Sequence, residues 1–194
     1  MLINLEGIDG CGKSTQSQFL MDEFEKNNEK TILLKEPTNG KYGKKLWAML
    51  SGKIKATTEE ILELFVMDRK EHVDQKINPA LNEGKIVLMD RYYYSTMAYQ
   101  AAAGIDVNRI RKDNEFAPKP DIVLVFDLPA DLAMKRVRGH SVADVFEKEE
   151  HLEKVRKAYL NLEDDPLVRI INATRTPEKI FDEVWKLVSE VRNG

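Results

Sequence analysis

Residues 6–15 read EGIDGCGKST, and this stretch limits the possible folds more than any other. Gly7, four residues, then Gly12-Lys13-Ser14 match the pattern G-x-x-x-x-G-K-[ST]. Glycines there let the backbone turn so tightly that successive N–H groups point inward and cradle phosphate oxygens. The pattern needs a strand before it and a helix after it. Both are legible: LINLE at 2–6 reads as a short buried strand, and KSTQSQFLMDEFEK at 13–26 has helical periodicity. The helix start adds unpaired N–H groups and the positive end of its dipole. Gly7, Ile8, Asp9, Gly10, Cys11, Gly12, Lys13, Ser14 and Thr15 are therefore the expected cradle. Lys13 is expected to reach the β- and γ-phosphates of a nucleoside triphosphate, and the Ser14 hydroxyl to ligate Mg²⁺.

Four further runs look like that first strand: TILLK at 31–35, KIVLMD at 85–90, DIVLVFD at 121–127 and VRIINA at 168–173. They are short, rich in β-branched residues and nearly continuous in apolar ones, so they are read as strands buried on both faces. Helical patterns separate them, which predicts an α/β fold with a parallel sheet covered by helices. In such a sheet ligands bind beyond the carboxyl ends of the strands. The rule selects the cradle, EPTNG at 36–40, DRYYYS at 90–95 and the segment after Asp127. No linker divides the chain, so residues 1–194 are taken as one domain. The polar stretch RGHSVADVFE at 138–147 is the candidate lid.

Composition narrows the function. A net charge of −3 and a pI near 5.8 argue against a dedicated nucleic-acid or anionic-membrane surface. No apolar run approaches a membrane span and no signal peptide is visible. The single cysteine, Cys11, rules out an internal disulfide and suits a cytoplasmic location. Cys11 lies where converging N–H groups lower a thiol pKa, so it is either a reactive thiol or a small buried residue.

A triphosphate cradle alone does not name an activity. The absence of an N-K-x-D guanine-reading motif weighs against a GTPase, and the chain is short for a motor. A small kinase would need a second anion site. In the helical row Phe65, Arg69, Val73, Ile77, within a long helix starting near Thr57, one arginine interrupts an apolar face. A buried guanidinium needs an anion or several acceptors, and the alternative is a salt bridge to a core carboxylate. DRYYYSTMAYQ at 90–100 places Asp90 and Arg91 at the carboxyl edge of the sheet beside an unusual density of tyrosines.

Taken in order, EGIDGCGKST, EPTNG, LFVMDRKEH, DRYYYSTMAYQ and KPDIVLVFDLP resemble the thymidylate kinases, which make dTDP from dTMP and ATP. The resemblance covers essentially the whole chain. It implies the three-layer P-loop NTPase fold with five parallel strands, ATP as donor, dTMP as acceptor, Mg²⁺ and a homodimer, the apolar face of the helix at 57–81 being one possible interface. It matches Phe65 to the aromatic stacking on thymine, Arg69 to the reader of its 4-oxo group and Thr96 to the residue facing N3. Tyr99 matches the ring crowding the sugar 2′ position, and Arg91 the arginine holding the dTMP phosphate. Asp9 matches the aspartate near the 3′-OH and the metal, Asp90 is assigned a metal-bound water, and Ala173 lies in the loop along adenine. Glu36-Pro37 corresponds to the family's cis peptide at the nucleotide. The rivals are a kinase for another nucleotide or nucleoside, or a non-catalytic ATP-binding paralogue.

One departure stands out. Related lids carry an arginine where this chain has Val145, and some relatives carry one at the place of Gly10. Arg138, beside the Gly139 hinge, is the expected lid cation and Arg136 the second choice.

Overall fold

The computed structural model describes residues 1–136 and 142–193, and for residues 142–148 the backbone alone. Five strands form one parallel sheet: β1 (Leu2–Glu6), β2 (Thr31–Lys35), β3 (Ile86–Asp90), β4 (Ile122–Asp127) and β5 (Val168–Asn172). Their order across the sheet is β2-β3-β1-β4-β5. The central position of β1 is decisive. Leu5 lies level with Asp90 of β3 and Glu6 with Val125 of β4, so the loop leaving β1 emerges between two neighbours at the carboxyl edge.

The runs read as strands are strands, within a residue at each end. Burial differs among them. Every residue of β1 and β3 is buried, and all of β4 but its last. The edge strands β2 and β5 are partly exposed, Leu33 to 40%. An apolar run marks a strand, but only position in the sheet decides whether one or both faces are covered.

Helices cover both faces. The first is α1 (Lys13–Lys26), then α2 (Lys41–Leu50) and α3 (Thr58–His72). Thr57 and Glu60 close a reciprocal capping box, which fixes the start of α3 where the sequence placed it. The single long helix expected over 57–81 is interrupted: a π turn at Val73–Ile77 leads into α4 (Asn78–Asn82). Pro79 has no N–H to donate and its ring crowds the carbonyl four residues back, so the ladder shifts just ahead of it. The remaining helices are α5 (Tyr93–Ala102), α6 (Val107–Asp113), α7 (Ala130–Arg136), α8 (Val142–Leu160) and α9 (Pro177–Asn193). Phe24 of α1 meets Trp185 of α9 edge-on, with 5.3 Å between centroids, and α5 packs on α8. The expected lid at 138–147 falls partly outside the described residues, Arg138 included, while its second half belongs to α8.

Candidate active site

The cradle forms because its glycines adopt conformations other residues resist. Gly7 has φ +131°, and a Cβ there would stand 2.7 Å from the Phe126 carbonyl oxygen and 2.9 Å from Cys11 Sγ. Gly12, at φ +106°, caps α1. Cys11 is only 1% exposed, so it is the small buried residue of the two readings. Lys13 Nζ donates to the carbonyls of Gly7 (2.9 Å) and Ile8 (3.1 Å). Burial, and then the nearby Arg91, pull its pKa below the ordinary lysine value. Ser14 and Thr15 lie exposed on the first turn of α1.

A cleft of about 570 Å³ opens above this turn. It is lined by residues 9–16 with Lys35, Asp90, Arg136, Arg175, Pro177 and Ile180. Lys13, Lys35, Arg136 and Arg175 outnumber Asp9 and Asp90, so the cleft suits a polyanion. Arg136, the second choice for the lid cation, reaches the Gly10 carbonyl at 3.5 Å. Ala173 is buried, its N–H donating to the Asp127 carbonyl at 2.9 Å, and Arg175 and Pro177 of the same loop line the cleft.

Beside the cleft stands Arg91, at φ +70°. The left-handed backbone costs a non-glycine residue about 1–2 kcal/mol. The Arg91 N–H donates to the Leu5 carbonyl (3.1 Å) and the Tyr92 N–H to Glu6 Oε1 (2.8 Å), holding the turn. The guanidinium lies over the Tyr99 ring, 5.4 Å from its centroid. Its Nη2 pairs with Asp9 Oδ1 at 2.6 Å, and its Nη1 donates to Ser95 Oγ (3.0 Å) and Tyr159 Oη (3.3 Å). Although burial pushes the Asp9 carboxyl up, Arg91 and Lys13 bring it below its usual value. Asp90 pairs with Lys35 through Oδ2 at 3.0 Å, while its buried Oδ1 has no partner.

Arg69 lies deeper, at the other end. Its Nε and Nη2 donate to Glu36 Oε2 at 2.9 and 2.7 Å. Nη2 also reaches Thr96 Oγ1 (3.1 Å), Nη1 the Asn114 side-chain oxygen, and the Tyr92 ring lies 5.4 Å away. His72 Nδ1 is 3.1 Å from Glu36 Oε1, and since a carboxylate only accepts, the ring nitrogen is the donor. Arg69 thus has both the core carboxylate and the several acceptors weighed as alternatives. The Glu36-Pro37 bond is cis, as expected. Phe65, one turn before Arg69 on α3, is half-buried and stands outside the core.

The sequence-assigned residues therefore gather as two groups: Asp9, Lys13, Asp90, Arg91 and Tyr99 around the cleft, and Glu36, Arg69 and Thr96 behind it. Reasoning from sequence missed Glu6, Ser95, Tyr159, Asn114 and His72. Glu6 carried a usable signal, being a carboxylate at the end of a fully buried strand. His72 carried a weaker one, three residues after Arg69 on α3. Nothing local marks Tyr159, whose partners are distant in the chain.

Comparison with known proteins agrees with this geometry. The sequence model of the family described as Thymidylate kinase matches residues 5–184. A thymidylate kinase of Desulfotalea psychrophila is 43% identical over 193 residues, covering 98% of this chain and 95% of the relative. A protein named "Probable thymidylate kinase" from Archaeoglobus fulgidus is 41% identical over 194 residues, covering 100% of this chain and 97% of the relative. A thymidylate kinase of Xanthomonas oryzae pv. oryzae is 38% identical over 190 residues, covering 97% of this chain and 82% of the relative. With the five-stranded parallel sheet, the phosphate cradle and a family match over nearly its whole length, the chain belongs to the thymidylate kinase family.

Proposed function

We propose that this chain transfers the γ-phosphoryl group of ATP to the 5′-phosphate of dTMP, forming dTDP and ADP on the route to dTTP. One observation carries the reading: the Arg91 guanidinium, apt for a phosphate monoester, reaches Asp9 of the cradle at 2.6 Å. A monophosphate held by Arg91 would face the triphosphate across that short gap, with the transferred group between them.

Lys13, Arg91 and Arg136 then act as the cations around the transferred group, and Lys35 pairs with Asp90 at its edge. In the base site, Arg69 and Thr96 meet the base edge, Phe65 its face and Tyr99 the sugar. Glu36 acts through Arg69, whose Nε and Nη2 it holds.

The donor set suits Mg²⁺. Asp90 Oδ1 is buried without a partner beside the cleft, and the Ser14 hydroxyl and Asp9 carboxylate are exposed to it. Among the described residues no three His, Cys, Asp or Glu converge as a metal cage. That fits a cation held by one or two protein oxygens plus substrate phosphates and water. Ser14, Asp90 and Asp9 would hold it, and bound there it would neutralise charge on the phosphates.

No helix among the described residues is long and apolar enough to cross a membrane, and a cytoplasmic setting is supported by the lone, unpaired Cys11. A homodimer is supported by the exposed Trp47, Leu50, Ile54 and Met67 on and near α2 and α3.

The test is product formation from a panel of monophosphates with Mg-ATP. dTMP is expected to be preferred. dUMP, lacking one methyl, should lose about 1–3 kcal/mol in kcat/KM, and ribonucleotides more. CMP or AMP outperforming dTMP would overturn the reading.

A further inference from the structure

Glu6 is the last residue of β1 and fully buried, and its side chain neither lines the cleft nor bonds to the cradle that follows it. Its carboxylate has three donors. Oε1 accepts the Tyr92 N–H at 2.8 Å, while Oε2 accepts the hydroxyls of Ser95 (2.5 Å) and Tyr159 (2.9 Å). Those same hydroxyl oxygens accept the two Nη1 hydrogens of Arg91. The two hydroxyl oxygens also lie 2.8 Å apart, so either can donate to the other when it does not donate to Glu6. Each hydroxyl has a single hydrogen; if it points to Glu6, the lone pairs face Arg91.

We propose that Glu6 is a positioning residue for the dTMP phosphate: it turns the Ser95 and Tyr159 hydroxyls so that their lone pairs fix Arg91. The inference rests on Arg91 being the phosphate holder. Ser95 and Tyr159 come from α5 and α8, and without the carboxylate their hydroxyls are left to donate to each other, which takes a lone pair from Arg91. The Tyr92 N–H bond places the carboxylate relative to the same strained turn that presents Arg91.

Glu6→Gln makes a sharp test because it keeps the shape and reverses one end's polarity. With the amide nitrogen toward Ser95 and Tyr159, it donates to both hydroxyls, and the hydrogens they no longer give to Glu6 turn toward Arg91 or toward the other hydroxyl, so donors outnumber acceptors. With the amide flipped, the nitrogen confronts the Tyr92 N–H. Either way one donor faces another.

The experiment measures affinity for dTMP and for thymidine, which carries the same base and sugar without the phosphate, in wild type, Glu6→Gln and Arg91→Met. Glu6→Gln is expected to weaken dTMP about tenfold to a hundredfold and thymidine less than about twofold. ATP affinity should stay within the same factor of two. Arg91→Met should give the same pattern, more strongly. If Arg91→Met spares dTMP, the phosphate-holder reading fails and this proposal with it. If Arg91→Met weakens dTMP selectively and Glu6→Gln does not, only the Glu6 proposal fails. Equal weakening of dTMP and thymidine by Glu6→Gln would make Glu6 merely structural and overturn it too. Should Glu6→Gln not fold, the pair Ser95→Ala with Tyr159→Phe removes both relayed hydroxyls, and selective loss of dTMP is again required.

Discussion

Arg69, buried, and Arg91, largely buried with 12% of its side chain exposed, are each paired with a carboxylate, but the carboxylates differ. Glu36, which pairs with Arg69, has 3% of its side chain exposed, against 72% for Asp9, which pairs with Arg91. At the proposed base end the charges are sealed together, and removing one leaves the other in a low-dielectric interior. At the proposed phosphate end Asp9 can turn to water, and Arg91 keeps two hydroxyls and a tyrosine face when it does. A fixed arginine suits a base whose edge never changes. An arginine with an exchangeable partner suits a phosphate that arrives, reacts and leaves.

The largest stability effect should come from the sealed pair. Glu36→Gln keeps the shape but leaves Arg69 with neutral acceptors only, and should lower stability by about 3–5 kcal/mol in denaturant unfolding. A loss below about 1 kcal/mol would erase the contrast. Arg156 bridges β4 to α8 through Asp127 at 2.5 and 3.1 Å, with both side chains 22% exposed. Being intermediate in burial, Arg156→Ala should cost about 1–2 kcal/mol in the same assay. A cost equal to that of Glu36→Gln would mean burial does not grade these pairs. The smallest effect belongs to Arg109, bonded to Glu59 with both side chains about half exposed. Arg109→Ala should stay within about 0.5 kcal/mol and leave dTMP kinetics unchanged.

The same contrast explains what could be read from the sequence. The cradle, the five strands and the residues at strand ends were legible because strand–loop–helix order places them without knowledge of packing. Arg69 stood out in its helical row and Arg91 at its strand end, while their roles, together with Phe65, Thr96 and Tyr99, were reached through family resemblance. What could not be read were the partners. Glu36 pairs with Arg69 across 33 positions and Tyr159 reaches Glu6 across 153, so only the folded chain joins them. The edge exposure of β2 and the π turn before Pro79 were missed for related reasons. One depends on position in the sheet, the other on a proline inside an otherwise continuous periodic pattern.

The most direct measurement compares Arg69→Met and Arg91→Met side by side, each by denaturant unfolding and by dTMP kinetics with Mg-ATP. Arg69→Met should lower stability by about 3–5 kcal/mol, because Glu36 is left buried with only His72. Arg91→Met should cost clearly less, about 1–2 kcal/mol, since Asp9 is exposed and the buried Glu6, though it loses a nearby cation, keeps its three donors, while kcat/KM for dTMP falls about a hundredfold or more. Equal stability losses in the two variants, or near-normal turnover in Arg91→Met, would contradict the division between a sealed base reader and an exchangeable phosphate holder.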